Sequence, residues 1–175
     1  MRYLSVLFVS IFFACIVAVG VSVADPPRAE AAGGGYAARC GGGKIFLSAE
    51  ERRAFALHNR ARRNLNLRAF CVHPDLQRAA RAHTRDMVRR NYFSHLTKGT
   101  NTGPCERIRR QGYRYRYCAE NIGYNSTPDR TFKAWMNSSG HRSHILGGKY
   151  REIGIGAARK DARNTMFTVD FGTRF

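Results

Sequence analysis

Two alternating apolar stretches near the end of the chain constrain the fold more than any other feature. In each stretch an apolar side chain recurs at every second position, the period that places side chains on one face of a β-strand. The positions are Ile153, Ile155 and Ala157, then Phe167, Val169 and Phe171. The pattern predicts an antiparallel hairpin with one buried face, which a layer of helices must cover.

Helical patterns precede this hairpin, so the sequence predicts an α+β fold. The first helix begins with the capping box "SAEE", in which Ser48 is the N-cap and Glu51 the third helical residue. Leu57, Ala61 and Leu65 are spaced for the buried face of that helix.

A second helix is predicted over residues 76–91, where apolar residues and arginines occupy opposite faces. Its inward positions are Leu76, Ala80, His83 and Met87. His83 is therefore expected to be a core histidine. Two further helices are predicted, over residues 106–111 and over a segment that ends just before Gly140. His141 would then lie just beyond a helix C-terminus.

The N-terminal segment, residues 4–24, carries no charge. Small residues at its end match the pattern that a signal peptidase recognises, so we expect a secretory signal peptide over residues 1–24, cleaved after Ala24. An uncleaved membrane anchor is the alternative, because the segment is long enough to span a bilayer.

Residues 25–47 are rich in Gly, Ala and Pro and are predicted to be a linker, or a tail ordered by a disulfide, ahead of a domain over residues 48–175. The four cysteines after the signal suggest two disulfides in an exported protein. They allow three pairings, among which the sequence does not choose. We favour Cys105–Cys118, which closes a short loop, and Cys40–Cys71, which would hold the glycine-rich tail.

The charge of the chain is strongly positive, with 30 lysine and arginine residues against 12 acidic residues and a formal net charge of +18. Such a surface attracts anionic polymers or lipid headgroups, and we expect partners of that kind at the cell envelope. Specific nucleic-acid binding is not expected, because the arginines are spread over helices without interleaved aromatic residues.

Four motifs, "NYFSHLTKG", "AENIGYN", "AWMNSSGHRSHILGGKYREIGIG" and "MFTVDFG", make the chain resemble the CAP superfamily of cysteine-rich secretory, antigen 5 and pathogenesis-related 1 proteins. The match covers residues 51–175 and is similar to the secreted bacterial SCP-domain type. The resemblance implies a three-layer α-β-α sandwich with a central antiparallel sheet. It also implies a polar cleft, in which His95, Glu120 and His141 match family positions. Ser138 stands where animal and plant members have a second acid.

Two imidazoles and a carboxylate can hold zinc or another divalent cation, so His95, His141 and Glu120 are candidate metal ligands. Glu120 lies in an apolar and aromatic stretch, where a buried carboxylate needs a cation or hydrogen-bond donors. The alternatives are that Glu120 caps a loop and that the two histidines are surface residues. His144 is either a further ligand or, as we favour, solvent-facing, and Trp135 is expected in the core.

We therefore expect a secreted monomer that binds a ligand, and with it a divalent metal such as zinc, at the cell envelope or outside the cell. The family resemblance suggests a small or lipid-like ligand, such as a lipid, a sterol or an envelope component. A metal-assisted hydrolase is the alternative, with Glu120 as general base, although no established catalytic motif supports it. A membrane-anchored interaction module is a third hypothesis.

Overall fold

The structure, a computed structural model, describes residues 33–175. The predicted signal peptide and the first residues of the predicted linker lie outside this part of the chain. The helices are α1 (Ala49–Arg63), α2 (Pro74–Arg89), α3 (Pro104–Arg110), α4 (Pro128–Asn137) and α5 (Ser139–Leu146). The strands are β1 (Gly35–Ala38), β2 (Lys44–Leu47), β3 (Cys71–Val72), β4 (Tyr115–Asn125), β5 (Glu152–Arg159) and β6 (Thr165–Arg174). None of the described helices is long and apolar enough to cross a membrane.

A four-stranded sheet in the order β3-β5-β6-β4 forms the middle layer. β4, β5 and β6 are joined by antiparallel pairings, whereas the two-residue β3 pairs parallel with β5. α2 and α3 pack on one face of the sheet, and α1, α4 and α5 cover the other. The predicted three-layer sandwich is confirmed, with an antiparallel sheet in its three long strands.

The predicted C-terminal hairpin is confirmed as β5 and β6. Its apolar positions face α1, α4 and α5; Ile153, Ile155, Phe167, Val169 and Phe171 are fully buried. The alternate positions face α2, whose backbone lies directly against β5. A Cβ atom on Gly154 would lie only 2.1 Å from the carbonyl carbon of Leu76, so glycine permits this close approach.

α2 has the predicted division between an apolar and a basic face. The four inward positions, Leu76, Ala80, His83 and Met87, are buried. Of the arginines predicted on the opposite face, Arg78, Arg85 and Arg89 are exposed, whereas Arg81 is half-buried and pairs with Glu51.

The buried face of α1 differs from the prediction, although the capping box between Ser48 and Glu51 is confirmed. Leu57 and Ala61 are only partly buried, and Leu65 lies beyond the helix in an exposed position. The buried positions are instead Glu51, Ala54, His58, Asn59 and Arg62. An apolar pattern could not identify this face, because most of its side chains are polar.

Arg62 shows how a cation can occupy such a position. It is 2% exposed, and its guanidinium lies 4.0 Å from the centre of the Phe70 ring. It donates to the backbone carbonyl oxygens of Ile145 and Gly147 at 2.8 and 3.2 Å. These carbonyls lie at the C-terminal end of α5, so Arg62 ties α1 to the helix that carries His141.

The segment predicted as one helix ending just before Gly140 forms two helices. Ser138 adopts an extended conformation with φ −97° and ψ 122°, which ends α4 and starts α5. Gly140 therefore lies inside α5. His141 is in the first turn of that helix rather than beyond the end of one, and His144 follows three residues later.

Residues 35–47, predicted as a linker or as a tail ordered by a disulfide, form the two-stranded sheet of β1 and β2. The Cys40–Cys71 disulfide joins the turn of this sheet to β3, and Leu47 is fully buried in the main core. These residues therefore belong to the domain. The Cys105–Cys118 disulfide is also present, so both favoured pairings are confirmed.

Candidate functional site

Glu120 and His95 meet at β4, the long strand at the edge of the sheet. The side chain of Glu120 is 1% exposed, and its Oε1 lies 2.7 Å from Nδ1 of His95. His95 comes from the loop after α2, and about half of its side chain is exposed. The structure thus joins two of the predicted site residues. The contact uses Nδ1 of His95 and leaves Nε2 for a ligand.

Arg107 holds the second oxygen of Glu120. Its Nη2 donates a 2.5 Å hydrogen bond to Oε2, and its Nη1 donates to the backbone carbonyl oxygen of His95 at 2.7 Å. A buried carboxylate is stabilised by an opposite charge and by donors, so this arginine from α3 explains how Glu120 can be buried. The partners are side chains rather than the backbone N–H groups that a loop cap would use.

Asp170 is a second acidic residue at this site, in addition to the predicted set. It lies opposite Glu120 in the pairing of β4 with β6 and is fully buried. Burial, and then the negative charge of Glu120, raise the pKa of Asp170 well above its usual value. Two carboxylates cannot hydrogen-bond to each other, but a protonated Asp170 can donate to Glu120. The raised pKa favours the protonated, neutral form of Asp170.

His83 connects α2 to the loop that carries His95. Its Nε2 lies 2.9 Å from the carbonyl oxygen of Ser94, and burial is the main cause that lowers the pKa of His83. Its Nδ1 has no hydrogen-bond partner within the described part of the chain, and neither has Nε of Arg107; no donor group there reaches either carboxylate oxygen of Asp170. The layer between α2 and the sheet is therefore polar beneath Glu120.

His141 and His144 approach β4 from the other face of the sheet. Nδ2 of Asn121 donates to the carbonyl oxygen of His141 at 3.1 Å, and Oδ1 of Asn121 lies 2.8 Å from Nδ1 of His144. Asn121 is fully buried, so it fixes α5 against the middle of β4. His144 is half-buried, with its ring edge-on to Tyr150, which differs from the predicted solvent-facing position.

Both histidines of α5 favour the neutral form. Burial lowers the pKa of His141, and the nearby His95 lowers it further. Burial also lowers the pKa of His144, followed by the charges of His141 and Lys149. The charge that His95 can carry acts on His141, so an electrostatic interaction links these two predicted site residues. Neutral imidazole is the form that binds metal ions.

A cavity of about 250 Å³ opens beside His141. Its lining includes Phe93, Ile122, Tyr124, Trp135 and Ser138. Trp135 is a core residue, as predicted, because it is 3% exposed and its Nε1 donates to the carbonyl oxygen of Ile122 at 2.8 Å. With Ser138 in the place of the second acid, this wall carries no carboxylate.

His95, Glu120 and His141 do not form a compact set of three ligands. Within residues 33–175, one set of three His, Cys, Asp or Glu side chains has ligand atoms that all lie within 4.8 Å of one another. This set is Cys40, Cys71 and Glu152, and its two cysteines form a disulfide. Since both oxygens of Glu120 are engaged, a cation at this site would be bound by the two imidazoles, with Glu120 orienting one of them.

Sequence reasoning missed Arg107, Asp170 and Asn121. For Asp170 a signal exists, since it is the one charged residue in the apolar stretch "MFTVDFG" and falls on the face opposite the phenylalanines. Arg107 is one of three arginines in "CERIRR", and nothing in the sequence distinguishes it.

The model of the cysteine-rich secretory protein family, CAP, matches residues 55–171 of the chain. Among curated proteins, the uncharacterized protein YkwD of Bacillus subtilis (strain 168) is 36% identical over 111 residues. That alignment covers 63% of this chain and 43% of YkwD.

Two solved structures share the fold. An extracellular protein containing a SCP domain from Bacillus anthracis str. Ames matches with a TM-score of 0.65 and 23% identity, over 76% of this chain and 47% of that one. An outer surface protein from Borrelia burgdorferi matches with a TM-score of 0.67 and 20% identity, over 72% of this chain and 93% of that one. The chain thus spans less than half the length of YkwD and of the Bacillus anthracis protein.

Proposed function

Since the chain belongs to the cysteine-rich secretory protein (CAP) family, we propose that it is an exported binding domain whose cleft holds a ligand together with a divalent cation. The cation is bound by the imidazoles of His95 and His141. The domain acts at the cell envelope or outside the cell, and it acts as a monomer.

The observation that carries this proposal is the hydrogen bond between Nδ1 of His95 and Oε1 of Glu120. A carboxylate that accepts from one nitrogen of an imidazole fixes the orientation of the ring and leaves the other nitrogen for a metal ion. Arg107 holds the carboxylate in turn, and it also donates to the backbone of His95. His95 is therefore oriented before any ligand binds.

Two neutral imidazoles suit zinc, for which nitrogen is a preferred donor. Because the protein supplies two ligands, water or a group of the bound molecule completes the coordination. The adjoining cavity, lined by Phe93, Ile122 and Trp135, accepts the apolar part of such a molecule. This combination favours a small or lipid-like ligand with one polar end.

The hydrolase alternative has less support. A general base needs a carboxylate that is free to take a proton from a bound water. Both oxygens of Glu120 are engaged, by His95 and by Arg107, and the side chain is closed to solvent. Glu120 is therefore better placed to orient His95 than to act as a base.

Calorimetric titration of the purified protein with zinc tests the proposal. We expect His95→Ala and His141→Ala each to weaken zinc binding at least tenfold, and Glu120→Gln to weaken it by about tenfold through the loss of orientation. His73→Asn is the matched control, because it removes an imidazole outside the cleft and keeps a side chain that can cap α2. Unchanged zinc affinity in both alanine variants would remove the metal site from the proposal.

A further inference from the structure

A basic and aromatic surface lies where β4 begins, at the opposite end of this strand from the cavity. We call it the Tyr117 face; it consists of Arg114, Arg116, Tyr117, Lys149 and Arg151, which are all exposed. A register shift between residues 115 and 117 of β4 turns Arg116 and Tyr117 outward together. The expectation of no interleaved aromatic residues is wrong here, because tyrosine and arginine alternate over residues 113–117.

Two cations of this face, those of Arg116 and Lys149, lie beside one ring. Cζ of Arg116 lies 5.4 Å, and Nζ of Lys149 lies 5.7 Å, from the centre of the Tyr117 ring. The loop between α5 and β5 is held to β6, because Oγ1 of Thr173 donates to the carbonyl oxygen of Lys149 and the backbone N–H of Arg151 donates to Gly172. The backbone that carries Lys149 and Arg151 is therefore held in place, so a partner does not have to order this loop when it binds.

The positive charge of the Tyr117 face is not compensated. In the described part of the chain, no carboxylate lies within 4.0 Å of the basic groups of its three arginines or of Lys149. Glu152, an acidic residue at this end of the sheet, is already bound to Arg174 and to the hydroxyl of Tyr113. Four uncompensated cations on one face attract a polyanion, and the guanidinium group matches phosphate oxygens in particular.

The geometry disfavours two other phosphate-bearing partners. Deep insertion of Tyr117 into the apolar part of a membrane would carry Arg116 and Lys149 with it, which is costly for charged groups. Single-stranded nucleic acid binds through successive bases that stack on several aromatic rings. The Tyr117 face has one exposed ring, with the cations of Arg116 and Lys149 beside it. A phosphate polymer without bases fits the Tyr117 face best, because it requires neither insertion nor several stacked rings.

We propose that the Tyr117 face binds a linear phosphodiester polymer of polyol or sugar units, at a site separate from the His95 and His141 cleft. The cations contact successive phosphates in water, and the Tyr117 ring lies against two of these cations, Arg116 and Lys149. This interaction would keep the exported domain at an anionic polymer surface while its cleft stays open.

Binding of the purified protein to poly(glycerol phosphate), measured by calorimetry between roughly 50 and 200 mM NaCl, tests the proposal. We expect Arg116→Gln/Lys149→Gln to bind about tenfold more weakly at low salt. The slope of log affinity against log salt should also flatten by about 1.5, because two phosphate contacts are lost. Tyr117→Leu should weaken binding about threefold, whereas Tyr117→Phe, which keeps the ring, should match the wild type.

The control variant Arg85→Gln/Arg163→Gln removes the same charge from two exposed positions, on α2 and on the β5–β6 turn at the far end of the sheet. It should change the affinity less than about twofold. An equal loss in the two double variants would show that net charge alone matters, and would overturn the proposal.

Two further arms distinguish the partners. Single-stranded DNA or anionic phospholipid vesicles that bind at least as tightly as the polymer, with the same loss in Arg116→Gln/Lys149→Gln, would assign the face to that partner instead. His95→Ala and His141→Ala should retain polymer binding. Failure of this proposal is therefore distinguishable from failure of the cleft function.

Discussion

Glu120 and Arg107 form an ion pair that is almost closed to solvent, with side chains 1% and 11% exposed and 2.5 Å between Oε2 and Nη2. Removing one partner leaves the other charge buried and unpaired, which costs about 3–5 kcal/mol. We therefore expect Arg107→Met to lower the free energy of unfolding by about 3 kcal/mol, as measured by urea denaturation at neutral pH.

The double variant Glu120→Gln/Arg107→Met separates the effect of charge from that of packing. It leaves no unpaired charge and should recover much of the stability that Arg107→Met loses. Arg110→Met is the matched control, because it removes an exposed arginine of the same helix from its pairing with Glu106, and stability should not change. A double variant as unstable as Arg107→Met would show that packing, rather than charge, explains the loss.

The parts of the fold that the sequence predicts are those in which an apolar pattern and a buried face coincide. The alternation at Ile153 and Phe167 identifies the hairpin, and the spacing of Leu76 and Met87 identifies the inner face of α2. α1 fails this test, because the face that it buries contains His58 and Arg62. Those side chains are buried by virtue of distant partners, such as the carbonyl of Ile145, which no local pattern reveals.

The site was predictable to the extent that short motifs mark it. "FSH", "AEN" and "SGH" identify His95, Glu120 and His141, but not how their side chains are bonded. Asp170 and Arg107 join the site through strand register and through the packing of α3. Both depend on the tertiary fold, so composition and spacing could not reveal that Glu120 is already engaged on both oxygens.

Asp170→Asn tests whether Asp170 is protonated in the folded protein. A carboxyl group whose pKa is raised on folding, from an ordinary value of 3.8, binds its proton more tightly when folded. Its stabilising contribution is therefore present at pH values below the pKa of the unfolded chain. The contribution is lost as the pH rises from that pKa through the higher pKa of the folded protein. Asparagine keeps the shape without the charge.

We expect Asp170→Asn to be at least as stable as the wild type at neutral pH, and its relative advantage to shrink as the pH falls toward about 4. Urea denaturation at both pH values measures this difference. A variant that is much less stable at neutral pH would show instead that Asp170 is ionised in the folded protein.

His58 should make the protein sensitive to mild acid. It is fully buried among Phe132, Trp135 and Phe171, and burial lowers the pKa of His58 from 6.5 to about 4. Between these two pH values the folded protein holds this ring neutral, whereas the unfolded chain protonates it. The contribution to stability is complete above the unfolded pKa and is lost as the pH falls through the folded pKa.

The difference in unfolding free energy between the wild type and His58→Phe should therefore shift by about 2 kcal/mol against the wild type between pH 7 and pH 5. Phenylalanine keeps an aromatic ring in the cluster and has no titrating group. Urea denaturation at the two pH values gives the comparison, to which the other histidines contribute equally in both proteins. Parallel pH profiles would mean that His58 is not the acid-sensitive group.

Gly154→Ala and Gly140→Ala should have opposite effects on stability. A Cβ on Gly154 would lie 2.1 Å from the carbonyl carbon of Leu76 and 2.3 Å from the backbone nitrogen of Gln77, so α2 would have to move away from β5. Because the contacts are with backbone atoms, no side-chain movement can relieve them, and we expect Gly154→Ala to lower the free energy of unfolding by about 3 kcal/mol.

A Cβ on Gly140 would meet no atom within 4 Å, and alanine favours the helical conformation of α5 there. Gly140→Ala should therefore raise the free energy of unfolding by about 0.5 kcal/mol in urea denaturation, whereas a comparable loss in both variants would contradict the close packing of α2 on β5.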